Sequence, residues 1–160
     1  PPAVREREPG GRDPGDPYGG DWAIERACAG PRDLPTAGRT SRYRVRLEKA
    51  DAPSPSSAVQ YDLVFKISNR LWTSFAVVGK TGEFDRVEFT GHCASTMMMP
   101  GPDDREMERL VSSALRRDGG LNKLRLSEGG RLTLSGPTEE FVCSRFVETF
   151  EPVRVPAKGR

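Results

Sequence analysis

The chain has 160 residues, of which 25 are basic and 23 acidic, so its net charge at pH 7 is only +2. This length suits one domain with its own core, and the even mixture of charges excludes a concentrated basic face for nucleic acid. The apolar runs are too short to span a membrane, and 17 Gly with 14 Pro indicate a modest core with long loops.

Residues 1–20 are rich in proline, glycine and charge, and they contain no apolar stretch typical of a secretory signal. A segment of this composition buries too little apolar surface to offset the entropy lost on ordering. We therefore expect a tail that is flexible or that lies extended along a partner. The domain itself is expected over residues 21–150, with a C-terminal tail over residues 151–160.

Most of the domain is predicted to be strands, because apolar and polar residues alternate with the two-residue period of a half-buried strand. The segment DWAIERAC places Trp22, Ile24 and Arg26 on one face, and RYRVRLE alternates more regularly. YDLVFKI and LWTSFAVV flank the turn SNR and predict a hairpin. With FDRVEF and three short strands near the end of the chain, roughly eight or nine strands are expected.

One segment has the helical period, which predicts a single helix over about residues 103–117. Its recurring apolar side chains are Met107, Leu110, Val111, Ala114 and Leu115. Asp103 or Asp104 is the expected N-cap, and Gly119 or Gly120 the expected stop. A helix with one apolar face must bury it against the sheet. The expected fold is therefore α+β: a mostly antiparallel, curved sheet, a half-barrel, packed around one amphipathic helix.

A short motif precedes the predicted helix, and its residues are Ser95, Thr96, Met97, Met98 and Met99. Together with the helix and the hairpin GGRLTLSG, this motif resembles the META domain family, and Trp22 resembles that family's early tryptophan. The turn ISNRL is more similar to the protozoan branch of small META-like proteins than to the bacterial heat-shock envelope branch. No catalytic residues are recognised in the family, so the resemblance implies the fold and a non-catalytic role.

The three methionines have two chemical interpretations. Methionine fills irregular gaps in cores, and the junction of a curved sheet with a helix is such a place. We therefore expect core packing, with Met98, on the opposite face, as the residue that would belong to an interface. Met97 and Met99 share one face of an extended segment and would also suit a soft copper(I) ion. Core packing is preferred, and no motif indicates a metal or a cofactor.

His92, the only histidine, stands beside Cys93, but adjacent side chains on a strand point to opposite faces. A thiol–imidazole pair needs a hydrogen bond between the two groups, so catalysis by this pair is not expected. The three cysteines, Cys28, Cys93 and Cys143, form no CxxC pair. A reducing intracellular compartment is therefore expected, either the cytoplasm or an organelle.

Both faces of the segment LWTSFAVV are apolar, so one face needs a cover beyond the core. The candidate partner surface is Trp72, Ala76 and Val78. The function favoured by the sequence is a non-catalytic interaction or structural module, an accessory subunit whose partners are other protein subunits. The alternatives are a small-ligand carrier with a cavity between sheet and helix, and a thiol enzyme that uses Cys93.

Overall fold

The computed structural model of the chain describes residues 16–34, 43–50 and 59–146, which contain ten strands and one helix, α1. The first strands are β1 (Gly20–Ala29), β2 (Arg32–Leu34), β3 (Arg44–Lys49), β4 (Gln60–Lys66) and β5 (Arg70–Thr81). The remaining elements are β6 (Phe84–Phe89), β7 (Ala94–Ser95), α1 (Pro102–Ala114), β8 (Lys123–Leu126), β9 (Leu132–Ser135) and β10 (Glu139–Arg145). Residues 1–15 and 151–160 of the predicted tails lie outside the described ranges.

Eight strands form a closed antiparallel barrel in the order β1, β3, β4, β5, β6, β8, β9 and β10. The barrel closes where β1 pairs with β10, from Trp22 opposite Arg145 to Ala29 opposite Glu139. The half-barrel predicted from the sequence is therefore wrong. Closure pairs the backbone groups that two free edge strands would leave exposed, which stabilises the sheet against association with other chains. β2 and β7 are short additions that pair with β1 and β5 respectively.

β1 contains a bulge between Ile24 and Arg26. Trp22 and Ile24 are fully buried, as the alternation predicts. The extra residue then turns Arg26 outward and Ala27 inward, because two residues on a bulged strand oppose one on its partner. The expectation that Arg26 shares a face with Trp22 is therefore wrong.

Large side chains from distant parts of the chain fill the barrel interior. The ring centroids of Phe65 and Phe141 lie 5.0 Å apart, and Tyr61 stacks on Phe75 at 5.5 Å. The helical segment adds its apolar stripe to the same core, and its buried side chains are Met107, Leu110, Val111, Ala114 and Leu115. The helical period thus identifies the residues that face the sheet.

α1 begins at Pro102 and ends at Ala114, so it is shorter at its C-terminal end than the sequence predicts. Gly101 takes the N-cap position without a side-chain hydrogen bond, and the predicted aspartate caps lie inside the first turn. Proline is favoured there because its fixed φ suits a helix and its missing N–H needs no partner. The chain that follows the helix needs a glycine at position 120, because an added Cβ there would lie 2.4 Å from the Ala114 carbonyl oxygen.

The end of the barrel opposite α1 is covered by residues 16–19. Tyr18 is buried, and its hydroxyl donates a hydrogen bond to Asp85 at the start of β6. The Tyr61 hydroxyl donates to Asp16 at 2.6 Å. The packed part of the chain therefore begins before residue 21, the boundary that composition predicts, because this tyrosine adds an aromatic ring to the core.

Candidate docking surface

Residues 94–99 run along the outside of the barrel beside the start of β5. β7 pairs with β5 there, and Ala94 lies opposite Trp72. The Thr96 N–H then donates to the Arg70 carbonyl at 3.1 Å, while the Thr96 hydroxyl accepts the Arg70 N–H at 3.1 Å. The start of the methionine motif is therefore attached to the sheet through both its backbone and its threonine side chain.

The buried side chain of Asn69 fixes the next part of this segment, with only 5% of its surface exposed. Its oxygen accepts the Met98 N–H at 2.8 Å and the Thr96 hydroxyl at 2.7 Å. Its amide nitrogen donates to the Met98 carbonyl at 2.8 Å and to Glu108 at 2.8 Å. Both donors and both acceptor positions of the amide are thus used. Asn69 pairs with the Met98 backbone as a neighbouring strand would.

Two carboxylates of α1 hold the turn that carries Asn69. Glu108 accepts the backbone N–H of Ser68 at 3.0 Å and that of Asn69. Buried Asp104 accepts the Ser68 hydroxyl at 2.9 Å and the Tyr43 hydroxyl at 2.6 Å. Asn69 and Asp104 are buried, and buried polar groups that are hydrogen-bonded make the structure around them rigid. The helix, the β4–β5 turn and the methionine motif therefore form one fixed unit.

The methionine side chains themselves point into solvent. Met97 is 91% exposed, Met98 59% and Met99 84%. The prediction of core packing is wrong, because the helical stripe and the barrel aromatics already fill the interior while Asn69 holds the Met98 backbone outside. The alternative that these residues belong to an interface stays a prediction.

The predicted partner surface is divided between two places. Trp72 is 40% exposed and lies beside β7, close to the methionine motif. Val78 is 38% exposed but lies roughly 20 Å further along β5, at about 3.3 Å per residue. Ala76 is buried between its cross-strand neighbours Gln60 and Glu88, whose longer side chains flank its methyl group, so it offers no contact surface.

We define Met97, Met98, Met99 and Trp72 as the methionine surface. Monomeric proteins rarely leave clustered large apolar groups in water unless the cluster has a use. The periodicity of the sequence could not locate this surface. The surface depends on Asn69, which binds the Met98 backbone, and an asparagine in a turn is common in any sequence. The methionine repeat is the available signal, but its apolar character alone favours the core.

His92 and Cys93 are both exposed. The sulfur of Cys93 lies 3.8 Å from the Ala94 carbonyl oxygen, and the described residues show no hydrogen bond between the thiol and the imidazole. Partial burial raises the pKa of the Cys93 thiol. This thiol is therefore protonated at neutral pH, unlike an activated nucleophile.

In the part of the chain that the structure describes, no group of three or more His, Cys, Asp or Glu side chains is placed to hold a metal ion. The same ranges contain no helix of the length and apolarity that crossing a membrane requires.

The chain matches no family model, and no curated protein matches it. An NMR structure of a protein from Burkholderia xenovorans is similar, with a TM-score of 0.51 and 15% identity. The alignment covers 92% of this chain and 99% of that chain. At this identity the likeness concerns the fold alone. The strand pairing of the chain itself defines that fold as a small antiparallel barrel with one helix.

Proposed function

We propose that this protein is a non-catalytic, META-like interaction module, an accessory subunit that binds another protein through the methionine surface. The observation that carries the proposal is the contrast between backbone and side chains at Met98. Its N–H and C=O are both bound by buried Asn69, yet its side chain and those of its two neighbours are exposed.

This contrast favours binding, because the backbone of the free protein is already ordered. Less conformational entropy is then lost when a partner binds. Burying the exposed parts of the three methionine side chains contributes roughly 3.5–7 kcal/mol, when the usual value for a large apolar side chain is scaled by each exposed fraction. Methionine is also flexible and polarisable, so it adapts to the shape of an apolar pocket. The expected partner surface is therefore apolar and concave, and Trp72 supplies a rigid aromatic group at one side of the contact.

The raised pKa of the Cys93 thiol disfavours a thiol enzyme, because the thiolate is the reactive form. The side chains that fill the barrel interior likewise disfavour a carrier that holds its ligand inside the barrel. The resemblance of Thr96 and Met98 to the META motif is part of the proposal. These two residues bind Asn69, so the motif would serve to fix the surface in place.

The test is site-specific photo-crosslinking in cells that contain the natural partners. A benzophenone amino acid is placed at Met98 in one variant and, as a control, at exposed Glu128 in the β8–β9 turn in another. We expect one defined protein to be crosslinked from position 98 and not from position 128. Competition with unlabelled protein should abolish the crosslink.

A second variant separates binding from stability. Replacing Met97, Met98 and Met99 together by glutamine should leave the melting temperature within a few degrees of the wild type, because exposed side chains contribute little to folding. The same variant should fail to compete for the crosslinked partner. Equal crosslinking from positions 98 and 128, or full competition by the triple variant, would show that the methionine surface is not the contact.

A further inference from the structure

A small cleft lies between β2 and α1, formed by residues that do not belong to the methionine surface. Its volume is about 210 Å³. Its lining combines apolar Ala29, Leu34 and Leu110 with Ser113 and Glu139 and with the charged side chains of Arg32, Glu106 and Arg109. A cleft of this composition suits a small molecule with an apolar body and one polar group.

Only one of the two carboxylate oxygens of Glu139 accepts a hydrogen bond. The side chain is 3% exposed, and its Oε2 accepts the Ser113 hydroxyl at 2.6 Å. Its Oε1 is also buried, but no group in the described part of the chain donates a hydrogen bond to it. Burial of an unpaired acceptor is unfavourable, more so when it is charged. A ligand that donates to Oε1 removes that penalty.

The cations of the cleft do not supply this donor. Arg32 forms an ion pair with Glu106 at the rim. Arg109 lines the cleft from the exposed side of α1 and donates no hydrogen bond to the Glu139 side chain. The residues that line the cleft therefore leave Oε1 of Glu139 without a donor.

We propose that this cleft binds a primary ammonium group carried on a short aliphatic chain. A guanidinium prefers both oxygens of a carboxylate, but Ser113 already occupies one of them. A single ammonium N–H matches the single free acceptor. The aliphatic chain then lies against Leu34 and Leu110. This site does not depend on the docking role proposed above, since the two surfaces share no residue.

The same chemistry occurs on a free aliphatic amine and on a lysine side chain of another protein. The experiment is therefore a titration of the full chain, labelled with ¹⁵N, with isoamylammonium chloride and separately with Nα-acetyl-lysine methylamide. We expect saturable changes in the amide signals of Leu110, Ser113 and Glu139. Tighter binding of the lysine derivative would assign the site to a lysyl side chain, and tighter binding of isoamylammonium would assign it to a free amine.

Uncharged isoamyl alcohol and anionic isovalerate are the matched probes, and each should bind at least about tenfold more weakly, because neither supplies a charge-assisted donor. Glu139→Gln should weaken isoamylammonium binding by at least about tenfold. Glu140→Gln, at the next position of β10 where the side chain points to the other face, should leave it unchanged.

The proposal is overturned if neither amine gives saturable changes at the cleft, or if the alcohol or isovalerate binds as well as isoamylammonium. Binding by Glu139→Gln at wild-type affinity would overturn it too. If that variant does not fold, the comparison of the charged and uncharged probes on the wild-type chain decides the question.

Discussion

Replacing Asn69 by alanine removes the four hydrogen bonds that join the β4–β5 turn, the methionine motif and α1. Each hydrogen bond contributes about 0.5–1.5 kcal/mol net, and water can solvate the Met98 backbone once the segment is released. We therefore expect a loss of about 3 kcal/mol in the free energy of unfolding. For a chain of this size that loss lowers the melting temperature by roughly 6–12 °C.

The assay is urea unfolding combined with hydrogen exchange of the Met98 amide. In Asn69→Ala that amide should exchange much faster than in the wild type, because its acceptor has been removed. Asn122→Ala is the matched control at an exposed asparagine and should change stability by less than about 0.5 kcal/mol. If Asn69→Ala unfolds at the wild-type urea concentration and its Met98 amide stays protected, Asn69 does not fix the methionine segment.

Three further predictions concern the core, the thiol and the barrel end that residues 16–19 cover. Leu110→Asp should destabilise the domain by at least about 3 kcal/mol in urea unfolding, because it buries an unpaired charge, whereas Ser112→Asp on the exposed face of α1 should not. Cys93 should react with iodoacetamide at pH 7 no faster than free cysteine, since partial burial raises its pKa; a faster reaction would restore the thiol-enzyme alternative. Burial and the bonds to Asp85 and Asp16 raise the pKa values of Tyr18 and Tyr61 above the ordinary 10.0. The free energy of unfolding that these two hydroxyl groups contribute is therefore fully present below about pH 10. It is lost as the pH rises further, because tyrosine ionises at a lower pH in the unfolded chain than in the folded one. Tyr18→Phe should weaken that alkaline loss, and an unchanged pH profile would contradict the assignment.

The strands and the helix could be predicted because their signals are local. The alternation in RYRVRLE and the stripe from Met107 to Leu115 each depend on residues a few positions apart. Closure of the barrel could not be predicted in this way. Alternation identifies a strand but not the strand with which it pairs, and β1 and β10 lie at opposite ends of the domain sequence. The bulge after Ile24 was missed for a related reason, since it interrupts the alternation on which the prediction relied.

The candidate surface was predicted only in part. The sequence predicted a surface position for Trp72 and Val78 but core packing for the three methionines, and the structure leaves all five of these side chains exposed. The burial of Ala76 was missed because alternation assigns faces without regard to the size of neighbouring side chains. The exposure of Met97 to Met99 was missed because apolar character alone favours the core, and the amide of Asn69 overrides it through hydrogen bonds. Glu139 gave no signal, because a carboxylate near a turn is ordinary until its burial is known.

Closure of the barrel by its first and last strands has a consequence during synthesis. Cys28 and Glu140 face each other across β1 and β10 but are 112 positions apart. Because synthesis adds about 5–20 residues per second, roughly 6–22 s pass between the synthesis of β1 and that of its partner β10. During that interval its backbone edge can pair with other nascent chains. The charged Glu25 and Arg26 at the bulge are the kind of residues that hinder such pairing. Aggregation of newly made chains should therefore be most sensitive to substitutions that remove these two charges.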